Sequence, residues 1–195
     1  MTKHLVIIVF VALTVSAFSQ KQQNISHGYP IDQLTAKASY HNVSLDKTNF
    51  KKSVSDYLYH TVEHLKEPNV SVVLDTLIES PAGQHLTYHQ RYKNVKIYGS
   101  QLKVNIGKNR ETTSVFDRSV STDAILNFTF PEAQILDNYF NQRPLILKVE
   151  HVWYYDGKRL IPGIKGDYSP ENSTAFSIIL DKSGEVLYEK NLSLN

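Results

Sequence analysis

Cysteine is absent from the 195 residues of this chain. That excludes disulfide bridges, thiol nucleophiles, cysteine-held metals and attachment through a lipid-modified cysteine. A chain of this length can bury enough apolar surface to fold without such staples. Charge of one sign is equally scarce, with 21 Lys and Arg against 19 Asp and Glu. No basic stretch exceeds two residues, so the stripe that marks a nucleic-acid binder is missing. No G-x-S-x-G, H-E-x-x-H, phosphate-binding loop or dinucleotide fingerprint occurs, which removes the commonest hydrolase and nucleotide-binding readings.

Long apolar runs are also rare. The only one, Leu5 to Ala17, follows Lys3 and His4 and leads to small residues at Ser16, Ala17 and Ser19. It is shorter than the ~20 residues a membrane-spanning helix needs. Residues 1–20 are therefore expected to be a cleaved secretory signal, not a membrane anchor, which places the protein outside the cytoplasm, secreted or periplasmic. Residues 21–46 are polar, without sustained periodicity, and read as a leader. Asn-x-Ser/Thr acceptors stand at Asn24, Asn42, Asn69, Asn127, Asn172 and Asn191; they matter if the source glycosylates its exports.

What is present is periodic. From Thr48 to Leu65, apolar residues recur at three- and four-residue intervals (Phe50, Val54, Tyr57, Leu58, Thr61, Leu65), predicting a helix with its stripe centred near Val54 and Thr61. Thr48 or Asp46 can cap its start, and Pro68 lies past its end. Val70 to Ile78 reads as a strand, and Ser80 to Gly83 as a turn. A second helix is expected from Pro131 to Phe140, with Pro131 in the first helical position. Strands follow at Leu145–Tyr155, Lys158–Ile164, Ala175–Leu180 and Glu185–Tyr188, with turns at Asp156-Gly157 and Asp181 to Gly184. Twelve tyrosines suit half-buried sheet faces.

The most informative stretch is His85 to Val120. It reads as three strands, with a change of alternation across Gly99-Ser100 that marks a bulge or bend. Gly107 to Asn109 closes the last hairpin. The order of His85, Leu86, Tyr88, Gln90, Tyr92, Val95, Ile97, Tyr98, Gly99, Leu102 and Val104 resembles the FTP motif of fungalysin- and thermolysin-type propeptides. Asn94 stands where that motif often has Gly, and Asn tolerates the positive φ such a turn needs. Leu160, Ile178, Ile179, Asp181, Gly184, Glu185 and Val186 resemble the PepSY-type end of the same propeptides.

The fold expected from this resemblance is α+β, with two consecutive helix-plus-antiparallel-sheet halves of PepSY/cystatin-like kind. Residues 47–120 would be the FTP-like half and residues 121–195 the PepSY-like half. The function it implies is that of a secreted binding module, not an enzyme. Such a module inhibits a thermolysin- or fungalysin-type zinc metalloprotease, assists its folding, or does both. No cofactor and no metal ligand is called for. The motif residues His85, Tyr88, Gln90, Tyr92, Val95, Gly99, Asp181 and Gly184 each have a sufficient structural explanation and are read as structural. One alternative is a free-standing PepSY-type secreted protein with another ligand.

A second alternative rests on His60, Glu63 and His64, spaced as in the inverted zinc-protease motif H-x-x-E-H. On one continuous helix the two histidines would share a face. Glu63, however, falls opposite the apolar stripe, toward solvent, and no third ligand is apparent. His85 and His89 are about 13 Å apart along a strand at ~3.3 Å per residue, too far to share a metal, and are expected to be surface or pairing residues.

Overall fold

Alternation in the central stretch builds one long strand, and the rest of the first sheet forms around it. In the computed structural model, described over residues 37–39, 45, 49–122, 125, 128–140, 145–169 and 175–192, that strand is β3 (Gly83–Tyr92). Its neighbours are β2 (Val70–Ser80), β4 (Val95–Lys96) and β5 (Leu102–Gly107), followed outward by β6 (Thr112–Asp117) and β1 (Lys37–Ser39). The sheet runs β1-β6-β5-β3-β2, with β4 pairing to β3, and every pair is antiparallel. Leu86, Tyr88, Leu102, Val104, Ile106 and Val115 form its inner face. Helix α1 (Phe50–Thr61) covers that face with Val54 and Leu58, one turn apart and both fully buried.

The long helix expected over residues 48–65 is interrupted. Val62 takes an extended backbone, closes α1 through its N–H to Leu58, and leads into a 3-10 turn at Glu63–Lys66. The break keeps Val62 and Leu65 in the core, whereas Thr61 is exposed, so the stripe does not centre there. Asn49 holds the N-cap position without a side-chain cap bond; Thr48 and Asp46 lie outside the described residues, as do the signal and most of the leader.

The second sheet is a meander of β7 (Leu145–Tyr155), β8 (Leu160–Ser169), β9 (Phe176–Leu180) and β10 (Val186–Asn191), in the order β10-β9-β8-β7. The expectation of two helix-plus-sheet halves fails here. Helix α2 (Gln134–Tyr139) has six residues, and the protein is mostly β, two antiparallel sheets with one substantial helix. The apolar spacing at Ala133, Ile135, Leu136, Tyr139 and Phe140 does not extend to a covering helix. Only Leu136 is buried within α2, packed against Gly166, while Tyr139 is exposed and Phe140 is already extended. Pro131 does not start this helix; its carbonyl meets His151 Nε2 at 3.0 Å.

The sheets are joined by residues 97–101. Strands β4 and β5 pair with successive parts of β3, so the chain between them is free to leave the sheet. Ile97 forms a parallel bridge to Trp153 of β7, and the Tyr98 N–H donates to the Trp153 carbonyl at 2.8 Å. The Trp153 indole donates back to the Tyr92 carbonyl at 2.9 Å. Tyr92, Ile97, Val120, Trp153 and Leu160 share one buried cluster.

Candidate functional site

Each motif residue can be located by the force that fixes it. Tyr88 and Tyr92 face inward from β3, and burial raises the Tyr88 pKa above its ordinary value. Gln90 is the centre of a polar knot with no exposed surface. Its amide donates to the Val120 carbonyl at 2.8 Å, and its oxygen accepts from Ser100 Oγ at 2.9 Å and from the Val120 N–H at 3.0 Å. Strand, bend and the chain leaving the first sheet are thus held by one side chain. His85 lies on the opposite face, its ring nitrogens 2.7 Å from Asn105 Oδ1 and 2.9 Å from Ser80 Oγ.

Lys93 and Asn94 both take positive φ, 47° and 64°, the conformation of a two-residue hairpin turn whose twist matches its strands. That turn pairs Val95 back to Tyr92. Gly99, at φ 78°, makes the bend by which the chain returns from the second sheet. In the second sheet, Asp181 Oδ1 accepts from the backbone of Ser183 and Glu185 and from the Ser183 hydroxyl. Asp181 and Gly184 therefore build the β9–β10 turn and take no part in the hydrogen bonds of the Gln90 knot.

His60, Glu63 and His64 are not assembled as a chelating set. His60 is on α1, with Nδ1 2.7 Å from the Asp56 carbonyl. Glu63 and His64 follow the break at Val62; Glu63 pairs with Lys66 at 2.8 Å, and His64 with Glu67 at 3.0 Å. The single-helix geometry expected for this motif is therefore absent. Among the described residues no three His, Asp or Glu side chains come together as a metal site.

A residue that the sequence reading passed over does more. Glu67 precedes Pro68, which restricts it to extended backbone. There its carboxylate accepts from the Thr122 N–H at 2.6 Å, Thr122 Oγ1 at 2.7 Å, Ser121 Oγ at 3.0 Å and His64. Burial pushes its pKa up, but the bonds from Thr122, His64 and Ser121 outweigh this and hold it below the usual carboxylate value. Glu67 and Gln90 together pin residues 120–122.

A depressed folded pKa means stability that is present above the unfolded value, near 4.3, and lost as pH falls below it. Glu67→Gln is accordingly expected to lower stability at neutral pH by about 1–3 kcal/mol. It should also flatten the loss of stability between about pH 5 and 3. Urea melts across that range check both.

His89, expected to be a surface or pairing residue, is paired with Val73 of β2 and only 8% exposed. Burial lowers its pKa, Lys96 and Arg91 push the same way, and Asp75 and Glu150 oppose them. It lines a cavity of about 210 Å³ with Asp75, Lys96, Tyr98, Gly99, Ser100, Gln101 and Arg118. The sequence offered no sign of burial at His89, because the cover comes from the bend at 97–101.

The geometry defines a β-rich framework in which the central motif acts as structural hub, with no assembled catalytic group among its named residues. The sequence pattern of the Fungalysin/Thermolysin Propeptide Motif matches residues 78–119. That span takes in the end of β2, all of β3 to β6 and the bend between β4 and β5. The PepSY-like resemblance of the second sheet lies outside the matched residues. No curated protein matches the chain. Among the described residues no helix is long and apolar enough to cross a membrane.

Proposed function

We propose that this protein is a propeptide-type regulatory module that restrains a secreted thermolysin- or fungalysin-type zinc metalloprotease and assists its folding. The propeptide motif over residues 78–119 carries this reading. In it, His85, Tyr88, Gln90, Tyr92, Val95 and Gly99 set the shape of the motif-bearing unit, residues 47–120. Asp181 and Gly184 do the same for residues 121–195. None of them touches the protease.

The contact falls to strand β2. It ends the first sheet, paired only to β3 on one side among the described strands. Its distal half, Asp75 to Glu79, is exposed, with Leu77 at 37% and Ile78 at 60%. An open edge with apolar side chains can add to a strand of a substrate cleft, where backbone hydrogen bonds supply affinity and alternate side chains supply specificity. The inhibitor occupies the cleft as a strand without presenting a bond in the geometry for cleavage.

The test is inhibition of thermolysin-type proteases by the purified protein, read from hydrolysis of a chromogenic peptide. Inhibition is expected, and Ile78→Glu is expected to weaken it roughly 30-fold, the effect of losing a contact of about 2 kcal/mol, while leaving the thermal melt unchanged. Absence of inhibition and of binding across candidate proteases would sink the reading.

A further inference from the structure

The cavity beside His89 carries a feature that neither the fold nor the propeptide reading uses. Asp75 is the extra residue of a bulge in β2, between Leu74 paired with Tyr88 and Thr76 paired with Thr87. Two residues on from Val73, the register partner of His89, Asp75 lies on the face of the sheet that carries His89. On the far side, Gly99 and the bend it makes bring Ser100 and Gln101 over the same ring, and Arg118 follows the end of β6.

Arg91 Nε donates to His89 Nε2 at 3.3 Å. That bond places the ring proton of neutral His89 on Nδ1. Nδ1 is buried and makes no hydrogen bond; the nearest acid, Asp75 Oδ1, stands 4.0 Å away, beyond bonding distance. Lys96 and Arg118 line the same space, and neither makes a side-chain hydrogen bond or ion pair among the described residues. A buried donor without a partner is uncommon in folded proteins and calls for an explanation.

We propose that this cavity binds a carboxylate, with His89 Nδ1–H as the buried donor and Lys96 and Arg118 as the charge partners. The volume, about 210 Å³, matches roughly seven waters at ~30 Å³ each, the size of a carboxylate with a short stem. The lining charges select the class. Lys96, Arg118 and Arg91, which bonds the His89 ring, carry three positive charges against the two negative charges of Asp75 and of Glu150 on β7, a balance of one positive charge. A monoanion is therefore matched, whereas a doubly charged phosphate meets two nearby carboxylates. The guanidinium of Arg118 offers two parallel N–H groups to one carboxylate. The carboxylate can be a free small acid or the end of a peptide chain, and the chemistry is shared.

The experiment is NMR of the whole protein labelled at histidine carbon. Three probes are titrated at constant ionic strength: acetate, an acetylated tripeptide with a free terminal carboxylate, and the same tripeptide as its amide. The His89 signal is expected to shift saturably with acetate and the tripeptide acid and to ignore the amide, with the His85 signal unmoved. Arg118→Gln and Lys96→Gln are each expected to weaken binding about tenfold, as for loss of one charge-assisted bond. Asp75→Asn should strengthen it. Tighter binding of the tripeptide acid than of acetate identifies a chain terminus as the source; equal binding identifies a free acid. The proposal is overturned if no carboxylate gives a saturable shift, if chloride reproduces it, or if the Arg118 and Lys96 variants bind as the wild type does. The variants' remaining histidine signals report that they are folded, and the outcome is independent of protease inhibition.

Discussion

Trp153→Ala is expected to lower stability by about 3–5 kcal/mol and to separate the unfolding of the two sheets. Trp153 has no exposed surface. Its ring is surrounded by Phe128, Phe130 and Tyr92, with centroids 4.6, 4.9 and 5.5 Å away. Removing a buried aromatic ring of this kind leaves a cavity, and the surrounding structure relaxes only in part. Here the cavity opens at the junction itself, and the indole bond to the Tyr92 carbonyl is lost with it. For a chain of this size the melting point should fall on the order of 10 °C. Trp153→Phe keeps most of the packing and loses the donor, so a loss of about 1–3 kcal/mol is expected. Trp153 is the chain's one tryptophan, so wild-type fluorescence reports the junction while circular dichroism reports both sheets. The two should melt together in the wild type. A Trp153→Ala variant that melts as a single transition within a degree or two of wild type would refute this account of the junction.

Gln90→Leu is expected to lose about 3 kcal/mol or more. Leucine matches the volume, but it orphans the Val120 N–H, the Val120 carbonyl and the Ser100 hydroxyl, each at about 1–3 kcal/mol unless water enters. Gln90→Glu gives a sharper result. A carboxylate can accept from Ser100 and the Val120 N–H, but it is a buried charge pointed at the Val120 carbonyl. Burial raises the pKa of such a group. The neutral acid can instead donate to Val120, as glutamine does. A raised folded pKa means stability that is present below the unfolded value near 4.3 and lost as pH rises through the folded value. The variant should therefore lose stability, relative to wild type, on going from about pH 4 to pH 7. Urea melts at the two pH values decide it, and equal destabilisation at both would contradict the assignment of Gln90 as donor to Val120.

Local features were legible in the sequence wherever they depend on local chemistry. The alternation of Leu86, Tyr88 and Tyr92, the turns at Lys93-Asn94 and Asp181 to Gly184, and the change of phase at Gly99 all follow from backbone preference and side-chain period. The helices were less so. Periodicity placed Thr61 on the buried stripe, yet Val62 is extended, and the Thr61 hydroxyl turns back to the Tyr57 carbonyl on an exposed surface. A β-branched residue followed by Glu-His is no strong stop signal. The residues around α2 carried an apolar spacing, but the chain turns extended at Phe140 and the helix ends after six residues. The α+β expectation failed because that leaves two antiparallel sheets with one substantial helix. The polar knot and the His89 cavity depend on pairs far apart in the chain, such as Gln90 with Val120 and Ile97 with Trp153. Single-sequence pattern carries no signal for such pairs, although the motif itself marks Gln90 as special.

The excursion between β4 and β5 has a consequence for how the protein is made. All strands of the first sheet are synthesised before β7. Ile97 must then wait for its bridge partner Trp153, 56 residues further along the chain. At about 5–20 residues per second, that is a gap of roughly three to eleven seconds. Within it β5 and β6 are added to the first sheet, while the bend stands open and its apolar side chains lack their cover. The same short segment that joins the finished halves is thus buried only after the strand that covers it has been made.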